Sequence, residues 1–127
     1  MDHKKFATVI NCIDGRVQLP AAEWIKRGFR VDYVDVVTEA GPIKILAEQR
    51  DIKVIASIKR RVEISISQHL SRIVAVVGHF DCAGNSVGKD TQLKQLEAAV
   101  RAVEKWGLNV KVIGLWVDED EKVTRSA

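Results

Sequence analysis

The sequence predicts an α/β domain of three layers, with helices on both faces of a mainly parallel four-stranded sheet in the order 2-1-3-4. Three observations carry this. Four short β-branched runs recur, FATVI at 6–10, YVDVV at 33–37, IVAVV at 73–77 and VKVIGLWV at 110–117. Most are apolar on both faces, as parallel strands covered by helices are. Helical periodicity fills the segments between them, and alternation of strand with helix implies right-handed crossovers in a parallel sheet.

Taken in order, the first run leads into the polar cluster NCIDGR at 11–16. In the helix that follows, Pro20 suits the first turn, Trp24, Ile25 and Phe29 can share a face, and Gly28 is a candidate stop. After the second run, TEAGPIKILAEQRD at 38–51 is the loosest segment, and Gly41–Pro42 marks a turn that opens a short helix. Ile55, Ile58, Val62, Ile66 and Leu70 then recur at helical spacing. The third run ends in GHFDCAGN at 78–85. Leu93, Leu96, Val100 and Val103 form a last apolar stripe before Gly107 and the fourth run. With strand 1 central, the order 2-1-3-4 creates a topological switch point between strands 1 and 3, where ligands collect at the strands' carboxyl ends. Both polar clusters fall there.

At 127 residues, without linker, repeat or low-complexity tract, the chain reads as a single domain over 1–127. Its 46% hydrophobic and 29% charged residues are ordinary for a globular protein, which excludes disordered and fibrous classes. The net charge is only +3, and KRR at 59–61 is followed by Glu63. That pattern describes a solvated helix face and no nucleic-acid partner. No apolar stretch approaches the roughly 18 residues of a membrane span, so no membrane partner is expected. MDHKKFATVINCID has no signal-peptide pattern, so the expected location is cytoplasmic. In a reducing compartment two cysteines are more often metal ligands, catalytic groups or buried bystanders than a disulfide.

Each candidate residue has a plain alternative. A lone cysteine at a strand end is usually a small buried hydrophobe, a lone histidine a loop residue, and Asp-Gly a surface turn. At two strand ends that the topology brings side by side, Cys12, His79 and Cys82 instead form a set suited to Zn²⁺, which takes sulfur and nitrogen ligands tetrahedrally. Three protein ligands leave a fourth position open, as catalytic zinc sites do. Neither His3 nor His69 follows a predicted strand, and Asp14 is the nearby group able to act as a fourth ligand. Asp14 and Arg16, two positions apart on a turn, can form a bidentate pair that keeps the carboxylate ionised and oriented.

CIDGR at 12–16 with GHFDC at 78–82 resembles the paired signature of the β-class carbonic anhydrases. EAG at 39–41 is similar to that family's Ala-Gly turn after strand 2, and Gly84 to a glycine following the second cysteine ligand. The resemblance covers roughly residues 5–117. It implies Zn²⁺ held by Cys12, His79 and Cys82, and catalysis by Asp14, which would orient the attacking oxygen, with Arg16 holding Asp14. It further implies reversible hydration of CO₂ to bicarbonate, with COS or CS₂ as alternative substrates, and a homodimer or higher homo-oligomer. A non-catalytic zinc-binding or thiol-redox protein is the reading from another class. Val37, Ile43 and Phe80 are candidates for a dry CO₂ pocket, though core packing is the commoner role of such residues. Trp24, Phe29 and Trp106 are candidate interface anchors on the same terms.

The chain departs from the family pattern in three places. Cys12 comes too early for the family's N-terminal helical arm. Thr38 and Glu39 replace its polar residues before the Ala-Gly turn, so Glu39 would bring an extra carboxylate toward the metal. AGN at 83–85 departs from its usual Gly-Ala order.

Overall fold

β-branched residues pack well on a pleated surface, and all four runs form seven-residue strands. In the computed structural model, which describes residues 4–127, these are β1 (Phe6–Cys12), β2 (Tyr33–Glu39), β3 (Ile73–His79) and β4 (Lys111–Val117). His3 lies outside the described residues. β1 pairs in parallel with both β2 and β3, and β3 in parallel with β4. The expected order 2-1-3-4 is therefore observed, and a short strand β5 (Val123–Arg125) extends it, antiparallel to β4. Three residues with one apolar side chain offer no readable period, so β5 is visible only in its ladder.

Five helical segments connect the strands: a 3₁₀ turn over Gly15–Val17, α1 (Gln18–Phe29), α2 (Pro42–Glu48), α3 (Ile52–His69) and α4 (Lys89–Glu104). Pro20 does sit in the first turn of α1, but Gly28 does not end it. The helix runs through Gly28 to Phe29, and Arg30, left-handed at φ 53°, closes it by donating its N–H to the Lys26 carbonyl. Asp51 caps α3 by accepting from the Val54 amide.

Alternation along the strands divides the core into two layers. Ala7, Val9, Ala75, Val77, Ile113 and Leu115 face α1, which contributes Ala21 and Ile25. Ile10, Val74 and Val76 face the other way, toward Ile58 and Val62 of α3 and Leu96 and Val100 of α4. Val37 and Ile43 are buried in this second layer, so core packing takes them. Trp24, Phe29 and Trp106 are half-buried against the two layers, which accounts for their bulk without a partner. No helix among the described residues is long and apolar enough to cross a membrane.

One polar chain crosses the apolar layer. The hydroxyl of Thr8, fully buried on β1, meets Ser65 and Ser71, and Ser65 donates to Asp35, which also binds His69 Nδ1. His69 is thereby committed to fixing the end of α3 against β1 and β2, at the far end of the sheet from Cys12.

Candidate metal centre

β1 ends at Cys12 and β3 ends at His79, and parallel pairing of adjacent strands brings these ends together. Cys82 follows three residues after His79, past Asp81, whose left-handed backbone (φ 47°) turns the loop back on itself. Ligating atoms of Cys12, His79 and Cys82 all lie within 4.8 Å of one another, and all three residues are buried. The two sulfurs stand 3.7 Å apart, as free thiols. Two sulfurs each about 2.3 Å from one tetrahedral zinc would stand about 3.8 Å apart, so their spacing already fits the ion.

The imidazole is prepared in the same sense. His79 Nδ1 lies 2.7 Å from the Phe80 carbonyl oxygen, which obliges it to donate and leaves the lone pair on Nε2. That Nε2 is buried without a hydrogen-bond partner. A buried polar atom left unsatisfied is costly, and a metal ion satisfies it. The donor set therefore fits zinc.

The charge states agree. Burial pushes the Cys12 thiol up, but the adjacent His79, the amides of Asp14 and Gly41 and the Cys82 thiol outweigh it and bring Cys12 down to about 7. Burial, then the neighbouring Cys12 charge, raises Cys82 to about 11, against the amides of Gly84 and Asn85. Two thiols sharing one site cannot both ionise without a cation.

Asp14 and Arg16 form the expected pair. Asp14 Oδ1 accepts from the Arg16 amide at 2.9 Å and from Nε at 3.0 Å, and Oδ2 accepts from Nη2 at 2.6 Å. Asp14 is thus turned toward Arg16, outside the three-residue donor cluster. The same guanidinium also donates to the Asp81 carbonyl at 3.1 Å and lies 4.6 Å from the centre of the Phe80 ring. Arg16 therefore clamps the loop after β1 to the loop after β3. Phe80 serves that clamp.

Arg16's hydrogen bonds hold Asp14 down at about 2, against a partial burial that opposes them. The folded pKa lies below the ordinary value of about 3.9. The pair's stabilisation is therefore complete above that value and lost as pH falls through about 2. Carbon-detected NMR titration is expected to find Asp14 ionised throughout the neutral range, with its midpoint rising toward about 3.9 in Arg16→Ala. An unchanged midpoint would remove Arg16 as the cause.

Several supporting residues were invisible in the sequence. Asn11, almost fully buried, accepts from the Cys12 amide at 2.8 Å and donates to the Val17 carbonyl at 3.1 Å. Gln18 donates from Nε2 to the carbonyls of Cys12 and Asp14. Gln92 of α4 donates to the His79 carbonyl at 2.8 Å. A polar Asn closing an apolar run was the one available signal. Glu39, opposite Cys12 in the β1–β2 register, is bound by Arg61 of α3. Its carboxylate is paired and does not join the donor cluster.

The loops after β2 and β3 meet backbone to backbone. A Cβ on Gly84 would stand 2.6 Å from the Ala40 carbonyl carbon, and one on Gly41 would stand 2.8 Å from the Gly84 oxygen. Gly41 also holds φ +67°, where a side chain is strained. Because main chain cannot yield as a flexible side chain does, Gly84→Ala is expected to cost about 1–3 kcal/mol of stability. Urea unfolding measures it, and an unchanged midpoint would contradict the contact.

Comparison with known proteins adds family and fold. The family model described as "Putative carbonic anhydrase" matches residues 2–126. No curated protein matches significantly. Among solved structures, the β-carbonic anhydrase isoform I of Trichomonas vaginalis aligns with a TM-score of 0.63 at 16% identity, over 97% of this chain and 82% of that one. The apo form of a carbon disulfide hydrolase aligns with a TM-score of 0.66 at 14% identity, over 98% and 79%. A tetrameric β-carbonic anhydrase of Sordaria macrospora gives 0.57 at 13%, over 98% and 81%. At these identities the likeness is one of fold.

Proposed function

The chain belongs to the carbonic anhydrase family, and from that premise we propose that it catalyses reversible hydration of CO₂ to bicarbonate with Zn²⁺ held by Cys12, His79 and Cys82. The observation that carries the assignment of ligands is the buried set of two thiols and an unpartnered imidazole nitrogen within 4.8 Å of one another. Zinc supplies the Lewis acidity that makes water a competent nucleophile near neutral pH.

The remaining steps belong to the chain. Asp14, kept ionised by Arg16, accepts hydrogen bonds and cannot donate one. A water beside it must direct an O–H at the carboxylate and turn a lone pair away, toward the electrophilic carbon. Arg16 holds that carboxylate by Nε and Nη2 together, a two-point contact that sets its orientation. Glu39 stays neutralised by Arg61 and adds no free negative charge to the centre.

Stopped-flow hydration of CO₂ with a pH indicator, alongside zinc analysis, tests the assignment. Turnover is expected with about one zinc per chain. Full zinc occupancy without hydration anywhere between about pH 6 and 9, the range in which zinc-bound water ionises, would defeat it. The same assay with COS or CS₂ then separates a changed substrate from a non-catalytic zinc protein.

We also propose a homo-oligomer in the cytoplasm. Ile13 and Leu19, on either side of the Asp14–Arg16 turn, are exposed large hydrophobics, as are Tyr33 and Val36 on the edge strand β2. Light scattering at micromolar concentration checks the assembly, and a strict monomer would exclude it. A reducing compartment keeps both thiols available to the metal.

A further inference from the structure

The buried stripe of α4 runs through Leu96, Val100 and Val103, and its spacing asks for another apolar residue one turn earlier, at position 92. Glutamine stands there, and it is only 1% exposed. Burying an amide is unfavourable unless its polar atoms are bonded, so the departure points to a task specific to this side chain.

That task lies at the end of β3. Gln92 Nε2 donates to the His79 carbonyl at 2.8 Å. The register of β3 with β1 ends at Val76, three positions before this carbonyl, and a helix side chain supplies its donor. A longer contact from the same nitrogen, 3.4 Å to the Val87 carbonyl, ties in the loop that follows Cys82. On the other side of the same peptide unit, the Phe80 amide donates to the Val117 carbonyl of β4 at 3.1 Å. Both polar groups of the His79–Phe80 peptide are therefore held, and the unit cannot rotate without breaking one of these bonds. The next carbonyl, that of Phe80, accepts from His79 Nδ1 and leaves Nε2 free for a metal. The aim of the imidazole thus depends on a peptide that Gln92 pins.

We propose that Gln92 is a positioning residue of the metal centre: by holding the His79 carbonyl it fixes the backbone from which the imidazole is aimed, and so raises zinc affinity from outside the ligand set. The inference rests on the reading of Cys12, His79 and Cys82 as zinc ligands. Hydrogen-bonding groups behind metal ligands contribute about 10- to 100-fold in affinity, and one that acts through backbone belongs at the lower end, about tenfold. Coupling between two binding equilibria is reciprocal, so zinc must strengthen the Gln92 hydrogen bond by the factor by which that bond strengthens zinc binding. A glutamine that only packed α4 against the sheet would show no such reciprocity.

Two measurements test it, neither of them enzymatic. In wild-type protein, NMR follows solvent exchange of the Gln92 side-chain amide, assigned through its own carbon–nitrogen correlations, with and without zinc. Zinc is expected to slow that exchange about tenfold. In Gln92→Met, which keeps the length of the side chain and has no donor, competition with a chromophoric chelator is expected to show zinc bound about tenfold more weakly. Val100→Ala, two turns along the same stripe, loosens the helix without touching His79 and is expected to keep zinc affinity within about twofold of wild type. Exchange indifferent to zinc, unchanged affinity in Gln92→Met, or equal weakening in Val100→Ala would overturn the role of Gln92 and leave the ligands in place. Should Gln92→Met fail to fold, the exchange comparison in wild-type protein decides alone. Wild-type protein that takes up no zinc would instead overturn the ligand assignment, and this inference with it.

Discussion

Replacing His79 with alanine is expected to reduce zinc in the purified protein from about one per chain to below about a tenth, and to take hydration to background. The imidazole is the one neutral ligand in the set, and its Nε2 is already stripped of other partners. Without it, two sulfurs 3.7 Å apart remain, too few ligands for a catalytic site that ordinarily uses three. Cys12→Ser and Cys82→Ser should behave alike. Elemental analysis gives the metal content, while far-ultraviolet circular dichroism checks that the fold survives, as expected since His79 belongs to neither apolar layer. Retention of stoichiometric zinc by His79→Ala would mean that the metal sits elsewhere.

Asp14→Asn is the second large effect, and it separates chemistry from metal binding. Zinc content should stay near wild type, while turnover falls about 10²- to 10³-fold, within the range that positioned proton-handling groups contribute. The asparagine matches the carboxylate in shape but exchanges one acceptor oxygen for a donating NH₂. It also removes the charge to which Arg16 donates three hydrogen bonds of 2.6 to 3.0 Å. A loss below about threefold with zinc intact would strip Asp14 of its orienting role. If zinc were lost as well, Asp14 would instead be a fourth ligand.

Most of the sheet was legible because parallel strands covered on both faces must be nearly continuous apolar runs, and IVAVV or FATVI fits little else in a chain with helical stripes between. β5 was not, because a three-residue edge strand carries no periodicity. Gly28 does not stop α1, because a left-handed cap is also open to Arg30, whose side chain gives no hint of it. At the site, Cys12, His79 and Cys82 stood out through residue type and placement at strand ends, and Asp14 with Arg16 through their spacing. Asn11, Gln18, Gln92 and Arg61 did not, since an amide or a guanidinium reveals its partner only after distant segments have met. The direction of Glu39 was unreadable for the same reason, being decided by Arg61, 22 positions along the chain.

The sulfurs of Cys12 and Cys82 are separated by 70 residues of chain, and this has a kinetic meaning. Contacts of such long range close late and at a high loop-entropy cost. Until β1 and β3 have paired, the ion can grip at most His79 and Cys82, three positions apart, so the complete three-ligand site forms late. Zinc arrives at a finished socket, so it should leave the refolding rate almost untouched and slow unfolding instead, lengthening the lifetime of the native state without hastening its birth.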